Sequence, residues 1–394
     1  MNNLYSSLAP LKGELVDLRR LLHAVPEIGD NLPLTKKIVC DYLDKVGIEY
    51  HCFDDFDGVV AEIKGDLSGK TIAFRADMDA LHTEEQTPVS FKSKISGQMH
   101  ACGHDAHTAI LLITAKYLFE HKATLKGTIK LIFQTGEETG SGAKKMIENG
   151  VIDDIEALFA LHVGNLSGDA LSAGEFAILP GFASAGKTKF TITVKGKGTH
   201  SAFPEKGIDP IPIASRIICG SEELVAREVP GGTAAVISFG SIVAGEDHNT
   251  IPETAIIKGG VRCQDPILRE FLAKRLEEIS INIAKAYRAE CVVELKRGSE
   301  SISNNYELAS EAASAVMAAV GKDRVKTHLP KALMASDDFS LYSLKVPSVY
   351  FLLHTNNPQK GICEPNHSPR FDLDEDTLLD GVIAHLAIAK QILK

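Results

Sequence analysis

Thr71-Ile-Ala-Phe-Arg75, Met99-His-Ala-Cys-Gly-His-Asp-Ala-His107, Ala109-Ile-Leu-Leu-Ile-Thr-Ala-Lys-Tyr-Leu-Phe119 and Gly127-Thr-Ile-Lys-Leu-Ile-Phe-Gln134 follow one another along the chain. The first and last read as buried strands. The apolar run between them reads as a buried helix over 106–121, with Asp105 near its N-cap. Strand, helix, strand predicts an α/β unit with a central, largely parallel sheet. The turn that opens the helix packs one thiol, Cys102, and three imidazoles, His100, His104 and His107, into eight residues. Transition metals prefer these donors, and a turn leading into a rigid element can hold them in place, so the turn points to a metal site.

Working outward, helices are expected over 11–23, 33–46 and 143–148, and strands over 59–64 and 155–161. The texture changes near residue 185. A strand over 187–195, a helix over 210–227, strands over 234–239 and 254–258, a helix over 268–286 and a strand over 290–295 give a β-α-β-β-α-β order, the ferredoxin-like pattern. After about residue 300 the first texture returns, with a helix over 307–319, a strand over 348–353 and a helix over 376–393. The expected fold class is α/β. A mainly parallel-sheet catalytic domain, 1–185 plus 298–394, carries an inserted ferredoxin-like α+β domain, 186–297, as lid or dimerisation element.

A length of 394 residues favours two domains over one core. The net charge of −10, with no basic stripe to neutralise phosphates, argues against a nucleic-acid partner. No run of about 18 apolar residues is present, so no membrane span is expected. The opening Met1-Asn-Asn-Leu-Tyr-Ser-Ser-Leu-Ala-Pro10 lacks a basic segment followed by an apolar one, so no secretory leader is expected. Seven cysteines, with no CxxC pair, suit a reducing compartment. A cytoplasmic address follows.

The informative polar residues fall just after predicted strands: Asp77 and Asp79, then Glu137 and Glu138, then His162. Ligands bind at the carboxyl ends of strands in open α/β sheets, so these groups are expected to converge. Adjacent residues leaving a strand point to opposite sides, which lets one carboxylate of the Glu137-Glu138 pair hold metal while the other faces substrate. Two crowded carboxylates also differ in proton affinity, as acid/base work requires. His367, in the proline-bracketed loop Glu364-Pro-Asn-His-Ser-Pro-Arg370, is a candidate last ligand.

Ala76-Asp-Met-Asp-Ala-Leu81, Met99-His-Ala-Cys-Gly-His-Asp-Ala-His107, Gly136-Glu-Glu138, Thr199-His-Ser-Ala202, Asn249-Thr-Ile-Pro252, Ser336-Asp-Asp-Phe339 and Asn366-His-Ser-Pro369 stand in the order of the M20 metallopeptidases. The chain most resembles the amidohydrolase branch with aminoacylases, hippurate hydrolases and auxin-conjugate hydrolases. The resemblance implies two divalent metal ions per subunit, with Cys102 bridging, His104 and His162 on one ion, and Glu138 and His367 on the other. It further implies Glu137 as general base and acid, and Asp79 as an orienting residue behind the ligands. Asn249 and Arg262 are candidates for the substrate carboxylate, and His200 for the oxyanion and, in trans, for a partner subunit's site. A homodimer or dimer-based oligomer is expected.

The branch shows Glu-Asp-Phe where this chain has Asp337-Asp338-Phe339, and Gly-Gly-His where it has Gly198-Thr199-His200. It also shows proline and alanine before the glutamate pair, where Thr135-Gly136 stands here. These departures bear on substrate preference more than on the metal site. The expected reaction is metal-assisted amide hydrolysis of N-acyl-amino acids or short peptides, with zinc, nickel, cobalt or manganese all compatible with the donors. Three alternatives stay open: a dipeptidase or oligopeptidase of the same fold, a non-catalytic metal- or peptide-binding homologue, and a thiol hydrolase with Cys102 as nucleophile and His104 or His107 as base.

Overall fold

The computed structural model describes residues 2–394. The chain divides into two compact units: 1–183 with 302–333 and 337–394, and 184–301 with 334–336.

In the first unit, eight strands form one sheet in the order Tyr50–Cys52, Val59–Lys64, Lys126–Gln134, Leu67–Asp77, Ala157–Gly164, Ser348–His354, Phe176–Ala177, Val325–Lys326. Its centre is parallel: Leu67–Asp77 pairs in parallel with both Lys126–Gln134 and Ala157–Gly164, and Ala157–Gly164 with Ser348–His354. Antiparallel pairs flank that centre. The central strands are buried on both faces, so apolar residues from alternate positions enter two separate cores. Ile72, Phe74, Ile129, Leu131, Phe133, Phe159 and Leu161 pack in the core that also takes the helix His104–Glu120. Ala73, Ile132, Leu158 and Ala160 join Phe339, Tyr342 and Tyr350 in the other.

The helix predicted from the opening motif spans His104–Glu120. Its N-cap is Gly103 in a left-handed conformation, φ 87°, two residues before Asp105. Asp105 does other work. Its Oδ1 accepts from the Ala106 N–H, while Oδ2 accepts from Arg19 Nε at 2.9 Å and contacts His23 Nδ1 at 2.7 Å. Arg19 is fully buried on the helix Lys12–His23, so this ion pair ties the N-terminal helix to the motif helix. Burial works against the Asp105 charge, but Arg19 and His23 outweigh it and hold its carboxyl below the usual range.

The second unit has the strand order Ala235–Ala244, Thr254–Cys263, Gly186–Lys195, Glu290–Arg297, antiparallel throughout. The helices Pro210–Glu228 and Pro266–Ala286 pack on one face around Phe190, Ile192, Ile217, Ile257 and Leu272. Both helices start alike. Asp209 and Asp265 accept backbone N–H groups at the caps, and a proline with its φ already helical stands at the first position. This is the ferredoxin-like β-α-β-β-α-β arrangement. Among the described residues, no helix is long and apolar enough to cross a membrane.

Replacing Asp105 with Asn removes the fully buried carboxylate partner of Arg19 and leaves it Glu375 at 3.2 Å and Asp372 at 3.6 Å. The expected loss is about 1–3 kcal/mol of unfolding free energy, measured by denaturant titration. Because the folded pKa of Asp105 is depressed, its contribution is complete above the unfolded value and fades as pH falls below about 4. The wild-type advantage over Asp105→Asn should shrink in that acid window.

Candidate metal and catalytic centre

The four parallel central strands deliver their functional residues at one end of the sheet. Asp79 follows Leu67–Asp77, Glu137 and Glu138 follow Lys126–Gln134, His162 lies near the end of Ala157–Gly164, and His367 comes after Ser348–His354. Donor atoms of Cys102, His104 and His162 lie within 4.8 Å of one another, and so do those of Cys102, Glu138 and His367. Cys102 is common to both groups.

Each imidazole is turned by a backbone carbonyl. His104 Nδ1–H donates to the Asp79 carbonyl at 2.8 Å, and His162 Nδ1–H donates to the Val163 carbonyl at 2.8 Å. Both Nε2 atoms then face the cluster; against the cost of burial, Asp77, Asp79 and Cys102 raise the His104 pKa well above its usual value. His104 Nε2 is buried and has no hydrogen-bond partner, and His162 Nε2 stands 3.5 Å from Cys102 Sγ. That separation is about the edge expected between sulfur and nitrogen ligands on one tetrahedral zinc-sized ion. Burial and the neighbouring His107 keep the His162 ring well below its usual pKa, hence neutral.

The other donor group is rich in negative charge. Glu138 Oε1, also buried without a hydrogen-bond partner, lies 3.3 Å from His367 Nε2. Contacts with Cys102 and Glu138 push the His367 pKa up to about 10. That preference for a proton reflects the positive charge this donor set demands. Buried donor atoms without hydrogen-bond partners at His104 and Glu138, a neutral His162 and an excess of negative charge that raises the pKa of the other two imidazoles together fit metal ions.

Strain marks the same place. His367 has φ 71°, one of two non-glycine residues with positive φ among those described. Its backbone N–H is tied to the Ala101 carbonyl at 2.7 Å. Asn366, just before it, donates to the carbonyls of Cys102 and Val163, each at 3.2 Å. Such strain persists where surrounding bonds over-determine it, as they do here.

Asp79 sits behind the ligands. Besides its carbonyl's bond to His104, its carboxylate accepts the N–H groups of Glu137 at 3.0 Å and Glu138 at 3.1 Å. Both glutamate carboxylates come within 4.8 Å of each other and of His104; Glu138 also reaches Cys102 and His367, and Glu137 also reaches Asp337 and Asp338. Burial, followed by the charges of Asp337, Asp338 and Glu138, raises the Glu137 pKa well above the ordinary carboxylate range.

Sequence reasoning left Asp337-Asp338 as a matter of substrate preference. The structure puts both beside Glu137, with the Asp338 N–H 3.3 Å from Glu137 Oε1. It also adds Arg75, fully buried and read from sequence only as a strand residue. Arg75 bonds Gln134 and Asp338 at 2.9 Å each, and it also pairs with Asp77 and Asp337. A lone arginine at the end of an apolar strand was the available signal.

His107 is not part of the donor set. Its Nε2 accepts from the Val163 N–H at 2.8 Å and its Nδ1–H donates to Asp77. With both nitrogens engaged it cannot serve as base to Cys102. His162 does lie near the thiol, but the neutral state favoured there makes it a weak proton acceptor, and a thiol mechanism leaves Glu137, Glu138 and His367 without roles.

The remaining candidates lie in the second unit. His200 and Asn249 meet on the short ribbon in which Thr199–His200 pairs with Thr250–Ile251; the Asn249 carbonyl accepts from the Ser201 N–H at 2.9 Å. His200 is exposed, and its Nδ1 accepts from the Ala202 N–H at 3.1 Å. Arg262 is on the strand Thr254–Cys263 and donates to the Met334 carbonyl at 2.9 Å.

Residues 73–391 match peptidase family M20/M25/M40. The chain belongs to this family. It is 36% identical to a thermostable carboxypeptidase 2 of Saccharolobus solfataricus, over 95% of this chain and 94% of that protein. It is 35% identical to an N-acetylcysteine deacetylase of Bacillus subtilis, over 92% and 93%. Among solved structures, a dinuclear metal-binding M20 peptidase of Bacillus subtilis superposes with a TM-score of 0.84 at 33% identity, over 98% of this chain and all of that one. This chain is therefore an M20-family hydrolase.

Gly103 connects Cys102 to His104 at positive φ, and a Cβ there would stand 2.5 Å from Val163 Cγ2. Gly103→Ala should cost about 1–2 kcal/mol from the left-handed backbone alone. It should also reduce bound metal, because both flanking ligands must shift. Denaturant unfolding and elemental analysis of the purified protein check the two effects.

Proposed function

We propose that this M20 hydrolase cleaves N-acyl-amino acids through two divalent metal ions, held by Cys102, His104 and His162 and by Cys102, Glu138 and His367. The observation that carries this reading is the single thiol shared by two donor groups, with the proton-avid Glu137 beside them. Thiolate and imidazole donors favour zinc, cobalt or nickel, while the carboxylate keeps manganese in contention. When bound, the ions supply Lewis acidity and a water of lowered pKa.

Glu137 takes the proton of the attacking water and later gives it to the leaving amine, a task its raised proton affinity suits. Asp79 holds the backbone of both glutamates, so base and ligand keep fixed positions during turnover. His200 accepts a backbone N–H at Nδ1, which leaves Nε2–H of the neutral ring free to donate to the oxyanion. Arg262, with no carboxylate partner among the described residues, and Asn249 bind the substrate carboxylate. The ferredoxin-like unit acts as a lid and pairs with a second copy, and the enzyme works in the cytoplasm.

Hydrolysis of a panel of N-acyl-amino acids and dipeptides, by metal-stripped protein reconstituted with each ion, tests the reading. N-acyl-amino acids should be the better substrates; a clear preference for dipeptides would favour the peptidase alternative. On the preferred substrate Glu137→Gln should keep both ions and lose roughly 10²–10⁴-fold in kcat. Glu138→Gln should instead lose part of the metal. Near-normal turnover in Glu137→Gln would remove it from the base role.

The lid assignment has its own test. His200→Ala and Glu137→Gln should each be nearly inactive. Mixing them and allowing subunit exchange should restore part of the activity, because one site of each heterodimer then has both residues intact. Verified heterodimers without any rescue would place His200 in its own subunit's site.

A further inference from the structure

We propose that Cys40 and Cys52 are a redox-active thiol pair that closes to an intramolecular disulfide by exchange with a small-molecule disulfide. Cys40 lies on the helix Pro33–Val46 and Cys52 ends the strand Tyr50–Cys52. Their Sγ atoms are 3.8 Å apart, near contact distance for two sulfurs. Both residues are partly exposed, so a reagent can reach them. No other two thiols are paired in this way among the described residues.

The local fold brings them together. Gly47, left-handed at φ 85°, ends the helix, and its N–H bonds back to the carbonyls of Leu43 and Asp44. The chain reverses there and returns as the edge strand of the eight-stranded sheet, with Cys52 opposite Val59. Neither cysteine belongs to the donor groups described above.

The exchange proceeds in two displacements. The Cys52 thiolate attacks one sulfur of the reagent, the reagent's S–S bond breaks, and one reagent thiol leaves. Cys40 then gives up its proton to solvent and attacks the Cys52 sulfur of the mixed disulfide, releasing the second reagent thiol. Two protein thiols become one disulfide, and the reagent is reduced to two thiols. Burial and the adjacent Cys52 sulfur push the Cys40 thiol up to about 12, which leaves the first attack to Cys52; in the mixed disulfide the Cys52 charge is gone, and proximity compensates for the small thiolate fraction that burial still imposes on Cys40. The new bond ties the edge strand to the helix and closes the loop between residues 40 and 52, restricting the unfolded chain.

The test equilibrates the metal-loaded, full-length protein in glutathione buffers of rising oxidised-to-reduced ratio, blocks remaining thiols by alkylation and maps unreduced peptides by mass. A peptide joining Cys40 to Cys52, two hydrogens lighter than its parts, is expected at a lower ratio than the mixed disulfides at the exposed Cys219 and Cys363. Oxidation should also raise the thermal unfolding midpoint of the wild type but not of Cys52→Ser. The proposal is overturned if Cys40 and Cys52 remain alkylatable, or each carry glutathione, in buffers that modify Cys219. The mapping uses the unaltered chain, so it decides the matter even if Cys52→Ser does not fold.

Discussion

Asp79 is the residue on which the centre depends. One buried side chain and its own carbonyl make three contacts: to His104 Nδ1, to the Glu137 N–H and to the Glu138 N–H. The first orients a donor imidazole, and the other two hold the turn bearing the proposed base and a second donor. A carboxylate that accepts backbone N–H groups is rigid in a way that a pair of surface side chains is not. The loop after the Leu67–Asp77 strand thereby governs geometry contributed by two other segments.

The charges around it are arranged by layer. Next to the donors, His104 Nε2 and Glu138 Oε1 are buried without hydrogen-bond partners, a lack that a bound cation would make good. One layer further back, Arg75 joins Asp77, Asp337 and Asp338, so three carboxylates are compensated by one guanidinium. The imbalance falls on Asp338, whose carboxyl is pushed up to about 8 chiefly by burial, with Asp337 adding to it, and on Glu137, which lies beside both, and their proton affinities rise accordingly. On the opposite side of the Cys102 turn, Arg19 and Asp105 neutralise each other and anchor the first turn of the motif helix. These ion pairs are valued for placement, since buried pairs add little net stability by themselves.

Much of the fold was legible because it rests on local pattern. Apolar runs bounded by glycine and polar turns marked the central strands, and the β-α-β-β-α-β order marked the ferredoxin-like unit. Boundaries moved where local signals are weak. The strand over 71–75 extends to Leu67–Asp77, because pairing with its neighbours recruits polar positions that periodicity cannot assign. The motif helix starts at His104 rather than 106, because Gly103 tolerates the left-handed cap and frees Asp105 to bind Arg19.

Residue types and their order by themselves determined that this chain carries metal-ligand chemistry on a turn and paired carboxylates at strand ends, since those demands are local and leave compact motifs. Only the tertiary structure decided what holds each imidazole in place. The family order singles out His104 and His162 over His107, and the packing supplies the reason, because Val163 engages both His107 and His162: its N–H occupies His107 Nε2, while its carbonyl accepts Nδ1–H of His162 and turns that residue's Nε2 towards Cys102. The tertiary structure likewise decided that Asp337 and Asp338 surround Glu137, and that Cys40 meets Cys52. Each of these is a contact made by the packing of distinct elements, and nothing in the local sequence of either partner encodes where the other will lie.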